Sequence, residues 1–260
     1  MISVVIPSRL DRMPDGRLWL ERALQSVRNQ VVAQENPLEV ILGLDSGASP
    51  PDWLLAQYPG LKSANASGPP GQAAALNAAL EMATGDHVAF LEDDDWWVPL
   101  HLRQAIKALG EFEFVSSSQR VVDPLGSHIG VLGFATPSGW VLPRTLLEKV
   151  GPFDGFFRLH LDNDWLGRLN RIVRRRGHFT ESTQGDPKAF MAKRPDLVTL
   201  LQQAKPADVS LLETSGTYTQ VVRTQNPQGG LERSRTDPIL KQRSQAEQAA
   251  IEAKYGHLPW

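Results

Sequence analysis

The chain has 260 residues, a formal net charge of −2 at pH 7 and no cysteine. This length is enough to bury the core of one large domain, or of a domain with an appendage. The charge excludes a global basic field that would draw the protein to nucleic acid or to an anionic membrane, and the absence of cysteine excludes disulfides, thiolate metal sites and cysteine nucleophiles.

No apolar run in the sequence is long enough to span a bilayer. Met1 and Ile2 lead directly into a strand-like run, which leaves no room for a signal peptide. We therefore expect a cytoplasmic protein without a transmembrane segment.

The first part of the chain alternates between strand and helix patterns. In chain order, these patterns predict a strand over 3–7, a helix over 18–29, a strand over 38–44, a short helix after Pro51, a helix over 72–83, a strand over 87–91 and a helix over 100–109. Such an order is typical of βαβ units, so we predict an α/β fold with a mainly parallel sheet.

Polar side chains follow three of the predicted strands. They are Ser8 and Arg9, then Asp45 and Ser46, and finally the acids at 92–95. Parallel strands present their carboxyl ends at one edge of a sheet, and ligands of such sheets bind there. The sequence therefore predicts one site formed by all three clusters.

The third cluster consists of four consecutive acids, Glu92, Asp93, Asp94 and Asp95, followed by two tryptophans. Carboxylates this close repel one another and raise each other's pKa. A hard divalent cation such as Mg2+ or Mn2+ would remove that cost. A solvated acidic turn is the alternative, but the apolar residues on both sides of the cluster favour a metal site.

The pattern is looser after residue 112. It predicts strands over 114–122 and 139–142, a turn at 124–126, and helices over 143–150 and 161–175. Four arginines at the end of the last helix are expected on a solvated face: Arg171, Arg174, Arg175 and Arg176. Beyond about residue 185 the chain is more polar, with helices expected over 196–204 and, capped by Asp237, over 237–255.

Three motifs resemble those of the family-2 glycosyltransferases, which have the GT-A fold. Val-Val-Ile-Pro-Ser at 4–8 is similar to the family's opening strand. The segment 75–95, which ends in the four acids, resembles the part of the family that carries its Asp-x-Asp motif. Residues 150–154 and 161–169 resemble its Gly-Gly-Phe-Asp and Glu-Asp-x-Asp-Leu-x-x-Arg-Leu segments. The resemblance covers about residues 2–180, and the order and spacing of the motifs agree.

Some positions depart from the family's pattern. Glu92 replaces the first aspartate of the Asp-x-Asp motif, and Arg9 replaces a tyrosine that stacks on the donor base in the family. Ser46 replaces an acidic residue, and Leu161 replaces the glutamate of the Glu-Asp pair. Residues 222–225 weakly resemble a late Tyr-Arg-x-His segment, with Gln225 in place of its histidine.

The resemblance implies a metal-dependent, inverting transfer of a sugar from a nucleoside diphosphate donor, with a UDP-sugar expected. The cofactor would be Mn2+ or Mg2+, and the acceptor a glycan, a lipid-linked molecule or a small molecule. Residues 1–185 would form the GT-A-like catalytic domain, with 1–112 as its nucleotide-binding half and 113–185 as its acceptor half. Residues 186–260 would be a mostly helical extension that helps to bind the acceptor or a second subunit, not the donor.

The resemblance also implies roles for individual residues. The metal ligands would be Asp94, Asp93 and Glu92. Donor binding would involve Pro7, Ser8, Arg9, Asp45, Asn77, Glu92 and Asp93. Asp162 would be the general base that an acceptor hydroxyl needs. The residues expected at the acceptor are Trp96, Trp97 and Asp154.

Structural roles remain open for several of these residues. Asp45 is also suited to an Asx turn, and Asp95 and Asp162 to helix N-caps. Arg9 is also suited to a plain surface position, and at least one of Trp96 and Trp97 is expected in the core. A carboxylate at a helix N-terminus is favoured in its ionised form by the helix dipole, so Asp162 is expected to be ionised at neutral pH.

Other functions are compatible with parts of the pattern. A catalytically silent member of the family would bind a sugar nucleotide or a glycan, and the departures at Leu161 and Gln225 motivate this alternative. A nucleotidyltransferase would need a glycine-rich basic loop after the first strand, and a haloacid-dehalogenase-type phosphatase would need an aspartate pair there; residues 8–11 supply neither. A homodimer through the apolar positions of the C-terminal helix is possible.

Overall fold

The computed structural model describes residues 1–45, 47–133, 135–180, 208–213 and 221–259. The helices in these ranges are α1 (Trp19–Arg28), α2 (Asp52–Gln57), α3 (Gln72–Met82), α4 (His101–Ala108), α5 (Arg144–Val150), α6 (Leu161–Leu169), α7 (Gly230–Thr236) and α8 (Pro238–Tyr255). The strands are β1 (Ile2–Ser8), β2 (Leu38–Leu44), β3 (Lys62–Asn65), β4 (His87–Phe90), β5 (Trp96–Trp97), β6 (Phe114–Ser117), β7 (Gln119–Val122), β8 (His128–Leu132), β9 (Val141–Pro143), β10 (Arg175–Thr180), β11 (Asp208–Glu213) and β12 (Val221–Thr224).

A mainly parallel sheet of eight described strands forms the centre of the fold, in the order β11-β10-β6-β9-β4-β1-β2-β3. β1 lies between β2 and β4 and is parallel to both, whereas β9 is antiparallel to β4 and β6. β1 is buried along its whole length, as its continuous apolar run predicts for a strand covered on both faces. The predicted α/β fold with a mainly parallel sheet is confirmed.

A smaller sheet with the order β5-β12-β7-β8 lies beyond the end of β4. The sequence predicts a single strand over 114–122, but the chain divides there into β6 and β7, which belong to different sheets. The sequence does not predict β3, β5, β8, β11 or β12. β5 has only two residues, and it pairs with β12, which is distant along the chain, as Val221 pairs with Trp97. The local sequence pattern therefore gives little indication of these two strands.

The predicted helix over 161–175 is too long. α6 ends at Leu169, and residues from Arg175 onward form β10, which is parallel to both β6 and β11. Arg171, Arg174 and Arg175 are exposed as expected, but Arg176 is 1% exposed. Its guanidinium group lies 5.2 Å from the centre of the Phe114 ring and donates to Asn170 Oδ1 at 2.7 Å. Pairing within the sheet thus overrides the helical spacing.

An aromatic cluster joins the end of β4 to α6. Trp165 of α6 stacks on Trp140 and Phe153, with ring centroids 5.1 and 5.6 Å apart. Phe90, the last residue of β4, lies edge-on to both of these rings at 5.9 Å. All four side chains are buried, and such aromatic pairs add about 0.5–1.5 kcal/mol beyond their area burial. The cluster holds the start of α6 close to the acids that follow β4.

The C-terminal helix α8 begins as predicted. Asp237 accepts hydrogen bonds from the N–H groups of Ile239 at 2.9 Å and Leu240 at 3.3 Å, which confirms it as the N-cap. Ile251 on this helix is fully buried in the core, whereas Ile239 is 78% exposed. The predicted helix over 196–204 lies outside the described residues. Within the described ranges, no helix combines the length and the apolarity that crossing a membrane requires.

Candidate active site

The carboxyl ends of β1, β2 and β4 meet at one edge of the main sheet. Ser8 is in register with Leu44 of β2, and Val5 with Phe90 of β4. The residues that follow these strands surround a cavity of about 340 Å3, which we call the donor cavity. Most of the predicted donor and metal residues line it: Pro7, Ser8, Arg9, Asp45, Glu92, Asp93 and Asp94.

Helix α3 reaches the donor cavity because β2 allows it to approach closely. A Cβ atom on Gly43 would lie 1.9 Å from the carbonyl oxygen of Ala75, so the position requires glycine. The turn before α3 then places the N–H of Gly71 3.0 Å from Asp45 Oδ1. Asp45 is thereby held at the cavity wall. Ser46 lies outside the described residues, so the predicted Asx turn remains a prediction.

Asp93 is half-buried beside the end of β1. Its Oδ2 accepts a hydrogen bond from Ser8 Oγ at 2.5 Å. Burial and the neighbouring Asp94 raise the pKa of Asp93 to about 8, although the bond from Ser8 acts in the opposite direction. The negative charge of this carboxylate is thus costly in the absence of a cation.

Asp94 and Glu92 have different partners. Asp94 Oδ2 accepts from Asn226 Nδ2 at 2.9 Å, and burial together with Glu92 raises the pKa of Asp94 to about 6. Glu92 pairs with Arg223 at 3.1 Å and accepts from Gln72 Nε2 at 2.8 Å. Burial alone would lower the pKa of Arg223, but Glu92 and the neighbouring aspartates raise it above its ordinary value. Arg223 therefore stays charged and neutralises Glu92.

The acids fit a divalent cation held by few protein ligands. Among the residues that the structure describes, no three acidic or histidine side chains converge to hold a metal ion. The three predicted carboxylates thus do not converge in this structure, where Glu92 pairs with Arg223, and the role of Glu92 as a metal ligand stays a prediction. Asp93 and Asp94 remain, and Mg2+ is commonly bound by one or two carboxylates together with substrate phosphates. A cation beside them would also offset the repulsion that raises the pKa of both.

Asp95 is a structural residue. It is 1% exposed, and it accepts hydrogen bonds from Ser138 Oγ at 2.6 Å and from the N–H of Thr224 at 3.0 Å. The N-cap of α4 is Leu100, so the interpretation of Asp95 as a helix cap is wrong. Its carboxyl group instead connects the acidic segment to β12 through the hydrogen bond from Thr224.

Asp162 lines a second cavity of about 170 Å3, which we call the base cavity. This cavity adjoins the donor cavity, because Glu92, Asp94 and Arg158 line both. Asp162 lies in the first turn of α6, and the N-cap of this helix is His160, so Asp162 is not the N-cap. Burial raises the pKa of Asp162 to about 6, although the N–H of Asn163 donates to its Oδ1 at 2.9 Å. Burial thus outweighs the expected effect of the helix dipole.

Two residues predicted at the substrates have structural partners instead. Asn77 donates from Nδ2 to the carbonyl of Phe153 at 2.9 Å and accepts from the N–H of Phe153 at 2.8 Å. It lines a neighbouring cavity of about 420 Å3 and not the donor cavity. Asp154 is exposed and accepts from the N–H of Phe156 at 2.9 Å, which stabilises a turn.

The two tryptophans lie away from both cavities of the site. Trp97 is 2% exposed, its Nε1 donates to the carbonyl of Ser138 at 2.6 Å, and its ring stacks on His101. The expectation that one tryptophan belongs to the core is confirmed. Trp96 is half-buried beneath the guanidinium group of Arg22, 3.8 Å from its ring centre. Both line a third cavity that shares no lining residue with the donor or base cavity, so their position does not favour contact with the acceptor.

The chain after residue 220 contributes to the site in a way that the sequence does not predict. β12 pairs with β5 directly after the acids, and this brings Arg223 and Asn226 to Glu92 and Asp94. Gly229, Gly230, Arg233 and Leu240 line the donor cavity. These positions argue against the expectation that the region contributes nothing to donor binding, which stays a prediction. Arg223 could have been found through the weak resemblance of residues 222–225, whereas Asn226 and Arg233 have no motif around them.

Comparison with known proteins shows the family of this chain. The model of the family described as "Glycosyl transferase family 2" matches residues 3–150, which is more than half of the chain. The chain belongs to glycosyl transferase family 2.

Two relatives of the chain are named as uncharacterized glycosyltransferases. YwdF from Bacillus subtilis (strain 168) is 28% identical over 194 residues, which cover 66% of this chain and 69% of YwdF. The protein alr2836 from Nostoc sp. (strain PCC 7120) is 25% identical over 165 residues, which cover 52% of this chain and 50% of that protein.

Solved structures show the same fold at low sequence identity. TarS from S. aureus superposes with a TM-score of 0.57 at 14% identity, over 92% of this chain and 38% of TarS. The mannosyltransferase PcManGT from Pyrobaculum calidifontis, solved with GDP-Man and Mn2+, gives a TM-score of 0.53 at 19% identity, over 78% of this chain and 63% of PcManGT. The GT-A fold expected from the resemblance is thus confirmed. The chain spans less than two thirds of both of these proteins.

Proposed function

We propose that this member of family 2 is an inverting, divalent-metal-dependent glycosyltransferase that uses a UDP-sugar. The proposal rests on one arrangement: the donor cavity with Asp93 and Asp94 adjoins the base cavity with Asp162. Direct displacement at a sugar carbon needs a stabilised leaving group and a proton acceptor for the attacking hydroxyl. The structures of TarS with UDP and of PcManGT with GDP-Man and Mn2+ support a nucleoside diphosphate donor and a metal.

The nucleoside would be bound at the ends of β1 and β2. Asp45, held by the N–H of Gly71, accepts a hydrogen bond from a uracil N–H. Pro7 and Ser8 line the same wall. Arg9 is anchored by Asp11 and by the carbonyl of Gln228, so its guanidinium group is held at the cavity, where it can stack on the base.

Asp94 and Asp93 would hold the metal. A bound Mg2+ or Mn2+ offsets the negative charge that develops on the diphosphate as the sugar departs. Asn226 orients Asp94 through its hydrogen bond. Arg223 offsets the charge of Glu92, which reduces the repulsion that Glu92 exerts on Asp94.

Asp162 would act as the general base. Its carboxylate accepts the proton of the acceptor hydroxyl while the hydroxyl oxygen bonds to the anomeric carbon and the bond to the diphosphate breaks. A single displacement of this kind inverts the configuration at that carbon. A pKa of about 6 suits the role, because the group is mostly ionised at pH 7 and still basic enough to accept a proton.

Titration calorimetry with UDP, GDP and ADP, each in Mn2+ and in EDTA, tests the donor part of this proposal. We expect UDP to bind most tightly, and only with the cation. Tighter binding of ADP than of UDP, or equal UDP affinity in EDTA, would contradict it. Hydrolysis of UDP-sugars assayed with Mn2+ tests the enzymatic part: a catalytically silent protein would bind these donors without releasing UDP.

A further inference from the structure

Two arginines at the donor cavity have no side-chain hydrogen bond or ion pair with any residue that the structure describes. Arg158 and Arg233 both line this cavity and are exposed. Within the part of the chain that the structure describes, neither side chain makes a hydrogen bond or an ion pair. Other arginines close to the acids are engaged, because Arg9 pairs with Asp11, Arg22 donates to the carbonyl of Asp94 and Arg223 pairs with Glu92.

The backbone of Arg158 is fixed by a buried carboxylate of α8. Both oxygens of Glu247 accept from the N–H of Arg158 at 3.0 Å, and Oε2 also accepts from Leu159 at 2.8 Å and His160 at 3.1 Å. Glu247 is 2% exposed and pairs with Arg243 at 2.7 Å. Hydrogen bonds to an ionised acceptor are stronger than neutral ones, so the Arg158 side chain extends from a well-held segment.

The position of Arg158 is central to the site. Its side chain lines the donor cavity, the base cavity and the neighbouring cavity that contains Asn77. It therefore stands between the group that would leave and the residue that would accept the acceptor proton. Arg233, on α7, lines the donor cavity alone.

The donor cavity contains negative charge that positively charged groups would offset. Asp45, Asp93 and Asp94 already line it, and a nucleoside diphosphate would bring further negative charge. A guanidinium group binds phosphate oxygens through two parallel N–H···O bonds. Arg158 and Arg233 could do so without breaking an ion pair to any residue in the described ranges.

We propose that Arg158 and Arg233 bind the diphosphate of the donor and stabilise it as it leaves, with Glu247 as the positioning residue of Arg158. This inference rests on the proposed function, since it assumes a nucleoside diphosphate donor. When the bond between the anomeric carbon and the diphosphate oxygen breaks, its electron pair goes to that oxygen, where the two guanidinium groups face the new charge. The acceptor proton goes to Asp162.

The test compares ligands with and without phosphate on the full chain. Binding of UDP, GDP, uridine, guanosine and inorganic pyrophosphate in Mg2+ is measured by calorimetry for the wild type, Arg158→Ala and Arg233→Ala. A hydrogen-bonded charged group typically contributes enough for about a 10- to 100-fold change in affinity. We expect each variant to bind the diphosphates and pyrophosphate more weakly by about this factor, with nucleoside binding unchanged.

Arg235→Ala is the matched control, because Arg235 is an exposed arginine on the same helix as Arg233 and is not among the residues that line the donor cavity. It should bind UDP as the wild type does. Glu247→Gln keeps the shape of the side chain but removes its charge, and it should weaken UDP binding more than uridine binding. A purely structural role of Glu247 would reduce both affinities together.

The outcomes separate this inference from the proposed function. Wild-type protein that binds no nucleoside diphosphate in any cation would overturn the proposed function itself. Wild-type binding of UDP or GDP that is unchanged in Arg158→Ala and Arg233→Ala would overturn only the inference. Variants that keep UDP affinity but show a raised KM for the acceptor would assign the arginines to an acceptor anion, and this too would overturn it.

Discussion

Asp162 is the residue on which the proposed transfer depends most. Replacement by Asn preserves its size and leaves an oxygen to accept from the N–H of Asn163. Since the N-cap of α6 is His160, the stability of the helix should hardly change. The variant loses the proton acceptor, and general-base catalysis is typically worth about 10²–10⁴-fold. We expect near-normal UDP affinity with transfer lowered by about that factor, measured as kcat with saturating donor.

The pH dependence of the transfer provides the control for Asp162. With a pKa of about 6, the wild-type rate should fall as the pH drops through 6, because the protonated carboxyl group accepts no proton. The rate of the Asp162→Asn variant should not fall as the pH drops through 6. A variant with wild-type turnover and a lowered melting temperature would instead assign Asp162 a structural role.

Asp94 is the residue at which the metal requirement can be tested. Asp94→Asn removes an oxygen anion but keeps an amide that can still bond to Asn226. The affinity of the variant for UDP in Mn2+ should fall to the level that the wild type shows in EDTA, since the proposed protein ligand of the cation is lost. Calorimetry of both proteins in Mn2+ and in EDTA gives the four affinities required.

Asp154→Asn is the matched control for Asp94→Asn. Asp154 is an exposed carboxylate outside the donor cavity, where it stabilises a turn. Its variant should keep the full dependence on Mn2+. An Asp94→Asn protein that still binds UDP more tightly in Mn2+ would show that another group holds the metal.

At the level of single elements, α8 is part of the fold and of the site. Ile251 is buried in the core and Ile239 is 78% exposed on the same helix. Ile251→Ala should lower the free energy of unfolding by about 2–5 kcal/mol, the usual range for a buried Ile. Ile239→Ala should change it by less than about 0.5 kcal/mol, as urea denaturation would measure. Equal effects would show that α8 is detached in solution.

The loop between α5 and α6 is a second element with a clear physical role. It contributes Phe153 to the aromatic cluster and Arg158 to the donor cavity. Glu247 of α8 holds its backbone through the hydrogen bonds described above. The terminal helix thus stabilises the segment that leads into α6 and Asp162, although it lies far from the family motifs in the sequence.

At the scale of the whole molecule, the end of the sheet opposite the site contains a buried ion-pair network around Glu39 of β2. Its carboxylate accepts from Ser3 Oγ at 2.5 Å and from the N–H of Thr84 at 2.6 Å, and it pairs with Lys62 at 2.7 Å. Burial alone would raise the pKa of Glu39, but these hydrogen bonds outweigh it and lower the pKa to about 2. The network joins β1, β2 and β3.

The lowered pKa of Glu39 makes stability depend on pH. A carboxyl group with a depressed pKa stabilises the fold fully above its unfolded value near 4.5, and this contribution is lost as the pH falls toward 2. Glu39→Gln should therefore be less stable than the wild type by about 2–3 kcal/mol at pH 7. The difference should shrink below pH 4.5, as urea denaturation at several pH values would measure.

Glu111→Gln is the surface control for this experiment. Glu111 pairs with Arg175, and both side chains are exposed. Exposed pairs contribute about 0–1 kcal/mol, so the variant should follow the wild type at every pH. A difference between wild type and Glu39→Gln that stays constant from pH 7 to pH 3 would show that the charge of Glu39 contributes nothing.

Several features of this protein follow from the sequence by itself. The strands before Ser8, Asp45 and Glu92, the helices between them, and the convergence of these three residues on one cavity could all be predicted. The physical reason is that the spacing of apolar residues and the turn residues determine helices and strands locally. Parallel strands then have their carboxyl ends at the same edge of the sheet. The N-cap at Asp237 could be read in the same local way.

Other features were decided only by the tertiary structure. Arg223 lies 131 positions from Glu92 along the chain, yet it pairs with this acid and neutralises its charge. Arg176 is buried in β10 although its spacing is helical, because β6 and β11 pair with that segment. The pKa of Asp162 is raised by burial, which no sequence pattern around it indicates. Pairing between distant segments and the desolvation of charged groups depend on the whole fold, and local sequence contains neither.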